Sequence, residues 1–278
     1  MTKPGYAIIK LSAPETREFW RIPVLWEDSR LLALDKPSGL LTSPDPCDPQ
    51  RPDLITLLHR GIARGASWAQ ERKLGYLANA NRLDFETSGV ILLAKDKPAL
   101  IALANQFGVE QANKIYVTLV CGAPSQDAFA INAKLGADPA RFGLMRVDPR
   151  QGRKARTHLE VAERFSGYTL LKCRPITDRA HQIRAHLRHA RLPIAGDTSY
   201  GGPPLFLSKL KPDYRVKPNV AERPLIACIA LHLEQLRIDH PLTGAAQTFT
   251  APWPKDLTVA VNYLRRYAGS NSQAVNGP

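Results

Sequence analysis

The stretch Asn81-Arg82-Leu83-Asp84-Phe85-Glu86-Thr87-Ser88-Gly89-Val90-Ile91-Leu92-Leu93-Ala94-Lys95 changes character halfway along. Val90 to Ala94 is a compact apolar run bounded by Gly89 and Lys95, which reads as an interior strand. The half before it is polar. Arg82 and Asp84 lie two apart, so in extended chain they project to one face. A carboxylate and a guanidinium are thus mounted on a loop anchored by a rigid element, a common placement for functional groups. On these residues alone two readings stand level. One is a catalytic carboxylate; the other is a structural salt bridge beside a turn at Thr87-Ser88-Gly89.

Upstream, Leu31 to Asp35 is a short apolar run entering Lys36-Pro37-Ser38-Gly39, a buried strand followed by a turn. Residues 42–53 hold Pro44, Pro46, Pro49 and Pro52 and read as loop. Leu54, Leu57, Leu58 and Ile62 have helical spacing. Residues 1–21 read as an arm, with an edge strand from Tyr6 to Leu11. Downstream, Pro98 to Phe107 reads as a helix with Pro98 in its first turn. Lys114 to Val120, Thr157 to Glu163, Tyr168 to Arg174 and part of Leu225 to Arg237 read as strands. A helix is expected from His181 to Ala190. Residues 203–224, with five prolines and several lysines and arginines, read as a long basic surface loop or insertion. Gly269 to Pro278 reads as a disordered tail. Strands dominate, without regular strand–helix alternation. The pattern implies an α+β fold, a single catalytic domain over 22–268 built on a mixed, largely antiparallel sheet flanked by helices and loops.

Composition bounds the partner. The chain has 278 residues, 38 basic against 25 acidic, for a net charge of +13. That excess favours a polyanion, because neutralised phosphates release counterions. The competing reading is a general solubility charge; the charge tips the balance toward nucleic acid but does not separate RNA from DNA, or either from an anionic membrane. The four cysteines, Cys47, Cys121, Cys173 and Cys228, lie far apart and form no C-x-x-C pair, which argues against a zinc ribbon or a disulfide framework. No signal peptide is visible and no apolar run spans a bilayer, so a cytoplasmic protein without membrane association is expected. Neither G-x-G-x-x-G nor G-x-x-x-x-G-K-[ST] is present, so no nucleotide cofactor is expected.

A second polar cluster runs Arg174-Pro175-Ile176-Thr177-Asp178-Arg179-Ala180-His181-Gln182-Ile183-Arg184-Ala185-His186-Leu187. Thr177 or Asp178 is suited to cap the helix. His181, Arg184 and Arg188 share one stripe, able to meet a phosphate or a carboxylate; for Arg188 a solvated face is the preferred reading. His181 and His186 are five apart, too far around a helix to chelate one ion, and no metal is expected.

These elements together resemble the RluA-type pseudouridine synthases. The family's H-R-L-D-x-x-T-S-G-x-x-L-x-A-K signature is met from Arg82 to Lys95 at every specified position, with Asn81 in place of the histidine. K-P-x-G appears as Lys36 to Gly39, and K-x-Y as Lys114-Ile115-Tyr116. T-G-R-x-H-Q-I-R-x-H appears from Thr177 to His186, with Asp178 in place of the glycine. P-I-x-G-D-x-x-Y-G runs from Pro193 to Gly201, and a late L-H pair is Leu231-His232. The order is the family's order, over about residues 22 to 257.

The resemblance implies the pseudouridine synthase fold and an isomerase acting on uridine in structured RNA, ribosomal or transfer. It implies Asp84 as the catalytic carboxylate, Tyr116 as the aromatic packed on uracil, and Arg184 as the basic residue paired with the aspartate. Arg82, Arg179, His181 and Gln182 are implied as substrate-binding residues, with Arg82 helping to push the base out. The chemistry needs neither a metal nor another cofactor. A monomer is expected, for no exposed heptad or apolar patch is evident. Two competing readings remain: a catalytically silent RNA-binding or RNA-chaperone protein of the same fold, and a hydrolase using Asp84 with Glu86. Asn81 and Asp178 bear on the substrate side of the reading.

Overall fold

The structure, a computed structural model, describes residues 7–109, 111–216 and 220–269. Its residues divide into two compact units, within Met1–Lys114 plus Leu233–Pro252 and within Ile115–His232 plus Trp253–Pro278.

The first unit opens with β1 (Ile8–Ala13), β2 (Glu18–Glu27) and β3 (Leu31–Lys36). β1 has the alternating burial of an edge strand, Ile9, Leu11 and Ala13 facing inward. Tyr6, the expected start of that strand, lies outside the described residues. Helix α1 (Leu54–Ala63) follows the proline-rich loop and buries Leu54, Leu57 and Leu58. Asp53 caps it by accepting the Thr56 amide at 2.9 Å. After α2 (Ser67–Glu71) and the short β4 (Ala78–Asn79) comes β5 (Ser88–Ala94). Every residue of β5 is buried. That explains its unbroken apolar run: both faces are covered, so there is no polar side to alternate with. Helix α3 (Lys97–Gly108) starts at Asp96, whose carboxylate accepts the Ala99 amide at 2.8 Å.

The second unit carries β6 (Asn113–Cys121) from Ile115 onward, β7 (Ala128–Asn132), β8 (Leu135–Ala137), β9 (Met145–Val147), β10 (Arg156–Phe165), β11 (Tyr168–Pro175) and α4 (Gln182–His189). The chain then returns to the first unit through most of β12 (Leu231–Asp239) and through β13 (Ala246–Thr250), and ends in the second with α5 (Lys255–Tyr267). Strand order is β1-β2-β3-β5-β12 in the first unit, with β13 on β12, and β6-β11-β10-β7 in the second. The pairs β1·β2, β2·β3, β3·β5 and β12·β13 in the first unit, and β6·β11, β11·β10 and β10·β7 in the second, are antiparallel. The expected α+β class with largely antiparallel strands is borne out.

Residues 203–224 contain no strand or α-helix among those described, only a 3-10 turn at Leu207–Lys209. The segment is pinned by buried Leu205 and Leu210 and by Glu222, which accepts from the Ser208 amide at 2.9 Å and hydroxyl at 2.5 Å. The expected tail, apart from Gly269, lies outside the described residues. No helix among the described residues is long and apolar enough to cross a membrane.

Candidate active site

The loop bearing Arg82 and Asp84 is built from long-range contacts. Arg82 is exposed, Leu83 buried and Asp84 half-buried, the alternation expected of extended chain. The turn falls at Phe85–Glu86, where the Thr87 amide donates to the Asp84 carbonyl at 3.2 Å. The turn therefore lies earlier than expected, because Ser88 and Gly89 already belong to β5.

Three neighbours fix this loop. The Thr42 hydroxyl donates to the Leu83 carbonyl at 2.9 Å and accepts the Leu83 amide at 3.1 Å. The Gly39 amide donates to the Phe85 carbonyl at 2.8 Å. Asn81 is 5% exposed; its amide nitrogen donates to the Val90 carbonyl at 3.0 Å and its oxygen accepts the Leu92 amide at 2.9 Å. Asn81, suspected from sequence of altering substrate contacts, therefore faces the β5 backbone. Its amide supplies donor and acceptor together. Gly89 has φ of +120°, and a Cβ there would stand 2.3 Å from the Leu233 carbonyl oxygen, so glycine is required. On the solvent side the Arg51 guanidinium lies 3.7 Å over the Phe85 ring.

Strand β3, paired with β5, carries an unusual carboxyl. Asp35 lies opposite Val90, and burial pushes its pKa up to about 7 against the pull of the neighbouring Lys36 ammonium. Lys36 is fully buried and donates to the carbonyls of Pro37 at 2.9 Å and Leu40 at 2.6 Å, which closes the Pro-Ser-Gly turn. A carboxyl raised on folding contributes stability below its ordinary value of about 4, and that contribution is lost as pH rises toward 7. Asp35→Asn keeps the shape and removes the titration. In urea unfolding the variant should match the wild type near pH 4 and exceed it by about 3 kcal/mol near pH 8. A gap that does not grow with pH would refute this account.

The second unit supplies the remaining candidates. Tyr116 is 8% exposed on β6, directly opposite fully buried Cys173. The far end of β6 is laced to the segment leading to Asp197: the Cys121 amide donates to the Pro193 carbonyl and the Ala195 amide to the Leu119 carbonyl, each at 2.9 Å. Gly196, at φ +84°, lets this segment pass the Cys228 carbonyl, 2.3 Å from where a Cβ would sit. Asp197 then grips Arg184 in a two-point pair, Nε to Oδ2 at 2.7 Å and a terminal nitrogen to Oδ1 at 2.9 Å. Arg184 is 2% and Asp197 1% exposed. Arg184 also lies 5.0 Å from the Tyr200 ring centroid.

The start of α4 differs from the expectation. Neither Thr177 nor Asp178 caps it; the N-cap is His181, in left-handed backbone conformation at φ 49°. Thr177 is spent otherwise: its hydroxyl accepts the Arg156 amide at 2.9 Å and donates to Gln182 Oε1 at 2.8 Å. Gln182 in turn donates to the Arg156 carbonyl and the Thr157 hydroxyl, both at 3.0 Å. Gln182, expected among the substrate-binding residues, is buried and its amide is hydrogen-bonded to Thr177, Arg156 and Thr157. His181 Nδ1 lies 2.9 Å from the Tyr200 hydroxyl, which accepts the Met145 amide at the same distance. A non-glycine residue held at positive φ by such packing is a frequent mark of a functional position. Arg179 is half-buried with Nε donating to the Lys154 carbonyl at 3.2 Å, and Arg188 is exposed, as expected. His186 is buried between Thr157 and the Ala133 carbonyl, and burial holds its pKa below the usual range. Among the described residues no group of three or more metal-binding side chains is gathered.

The fold matches solved structures. Human RNA Pseudouridylate Synthase Domain Containing 4 superposes with a TM-score of 0.64 over 87% of this chain and 92% of that one, at 22% identity. Human RNA Pseudouridylate Synthase Domain Containing 1 gives 0.61 over 86% and 87%, at 19% identity. The class of protein is thus an α+β domain of the pseudouridylate synthase fold. The model of the RNA pseudouridylate synthase family matches residues 30–189. A ribosomal large subunit pseudouridine synthase D from Xanthomonas campestris pv. campestris is 36% identical over 242 residues, 87% of this chain and 69% of that protein. An uncharacterized RNA pseudouridine synthase from Chloroflexus aurantiacus is 35% identical over 233 residues, 83% of this chain and 66% of that protein. The chain belongs to the RNA pseudouridylate synthase family, the RluA-type branch its motifs resemble, and is an isomerase acting on RNA.

Proposed function

We propose that this enzyme converts uridine to pseudouridine in ribosomal RNA, with Asp84 as its catalytic carboxylate. The observation that carries the assignment is the Asp84 loop, whose backbone is clamped by Thr42, Gly39 and Asn81 while Asp84 stays half-buried. A rigid mount for one carboxylate is what positional catalysis requires. Ribosomal over transfer RNA is favoured by relatives named for the large ribosomal subunit.

The reaction breaks the bond from ribose to N1 of uracil, turns the base and forms a bond from ribose to carbon 5. The carbon 5 proton leaves and N1 gains one. An ionised carboxylate serves such a step by attacking sugar or base, or by stabilising a sugar cation. In this reading Tyr116 packs on the uracil, and Arg184, held by Asp197, is the basic companion of the aspartate. Exposed Arg82 helps displace the base from its stack, a step that costs a few kcal/mol. Arg179 and His181 contact the RNA. The catalytic domain spans residues 22–268 and acts as a monomer in the cytoplasm.

The test uses purified protein with deproteinised ribosomal and transfer RNA, followed by carbodiimide labelling and reverse transcription. New pseudouridine stops should arise in ribosomal RNA. Stops confined to transfer RNA would overturn the substrate, and none in either would favour an RNA-binding protein without turnover.

A further inference from the structure

The four-stranded sheet of the second unit has two unlike faces. On one, Thr157, Leu159 and Cys173 are buried, and Thr157 meets His186 of α4 at 2.9 Å. Alternation sends the intervening residues to the other face. There β10 presents Arg156, His158 and Glu160, and β11 presents Lys172 and Arg174. His158 is registered against Arg174 and Glu160 against Lys172. On the neighbouring edge strand β7 the same face carries Ala128 and Ala130, opposite Glu160 and His158, and Asn132, opposite Arg156. Alanines leave the floor low while the long basic side chains stand as walls. The result is an open groove of about 390 Å³ lying wholly within this unit.

Arg156, Lys172 and Arg174 are all exposed. None has a salt-bridge partner among the described residues, although other surface arginines of this chain do, as in Arg265 with Glu163 and Arg141 with Asp138. Lys172 has Glu160 directly across the ladder and still makes no ion pair with it. Lys172 and Arg174, two residues apart on one strand, are spaced by about 7 Å, and Arg156 lies on the adjacent strand about 5 Å away in the pairing direction. Three cations around a shallow apolar floor make a track for a ribose–phosphate backbone. Phe129 and His158 also line the groove but are half-buried, so its exposed groups are mainly the cations and the surface reads phosphates.

We propose that this face of the β6-β11-β10-β7 sheet is a second RNA-binding surface, which holds the backbone of the substrate RNA away from the nucleotide being modified. It rests on the reading of the chain as an RNA isomerase and adds to it a place where affinity arises without chemistry. Phosphate contacts of this kind set register and orientation of the bound RNA.

The test uses the full chain, with Lys172→Ala/Arg174→Ala as the loss variant and Glu160→Lys as the gain variant. All three positions are exposed on strand faces, and thermal melts check that the fold persists. Binding of a fluorescein-labelled oligouridylate is followed by anisotropy between roughly 50 and 200 mM salt. The loss variant should lower the slope of log affinity against log salt by about 1.4, and the gain variant should raise it by about 0.7. With ribosomal RNA as substrate, KM of the loss variant should rise about tenfold, with kcat unchanged. Unchanged slopes in both variants would overturn the proposal, as would unchanged RNA affinity together with loss of a co-purifying protein. If the wild type modifies no RNA, the functional reading fails on its own, and the salt slopes still decide this surface.

Discussion

Asp84→Asn should abolish pseudouridine formation, by a thousandfold or more, while the dissociation constant for ribosomal RNA changes by less than about threefold. A thousandfold loss corresponds to about 4 kcal/mol of transition-state stabilisation, within what a single nucleophile or charge stabiliser supplies. Asparagine matches the shape of aspartate and removes its charge, so only steps that need the anion are lost. The mount survives the change, since Thr42 and Asn81 hold the backbone of this loop and its neighbour β5. RNA affinity also survives, because phosphate neutralisation by Lys and Arg dominates it. The measurement is single-turnover isomerisation with carbodiimide readout, beside filter binding and a thermal melt. Retained turnover would remove Asp84 from the chemistry. A matching drop in binding and melting temperature would make it a structural residue.

Elements with strong local signals were legible in the sequence. The run Val90 to Ala94 became a strand buried on both faces, and the helices expected from Leu54 and from Pro98 form, behind the caps Asp53 and Asp96 that the sequence reading did not name. Helix α5 carried a readable signal that sequence reading passed over: Leu257, Ala260, Val261 and Leu264 recur at helical spacing just after Pro254 and are all buried. Strand β7, Ala-Phe-Ala-Ile-Asn, has one β-branched residue in five and pairs only at the edge of its sheet, so propensity gave little notice of it. The candidate residues were legible through their motifs, but their supports were not. Thr42 acts 41 residues from Leu83, and Asp197 acts 13 residues from Arg184. Neither spacing has a local period that would mark a contact. Asn81, noted as standing where the resembled family has histidine, is likewise bonded at a distance no local pattern marks: its amide joins the backbone of Val90 and Leu92 in β5.

Asp197→Ala should destabilise the protein by about 3–5 kcal/mol, because it leaves the Arg184 guanidinium buried without its carboxylate. That is a large share of the roughly 5–15 kcal/mol that holds a typical domain together. The same principle separates structure from chemistry at this pair. Replacing both members by apolar residues of similar size is often close to neutral, since the desolvation of both charges is relieved at once. The double variant Arg184→Met/Asp197→Leu should therefore regain most of the stability lost in Asp197→Ala, as read by urea unfolding. Turnover tells the rest. If Arg184 is only a buried strut, activity returns with stability. If it is the basic companion of the catalytic carboxylate, the double variant folds and stays inactive, and Asp197 is then a positioning residue acting through the arginine it holds.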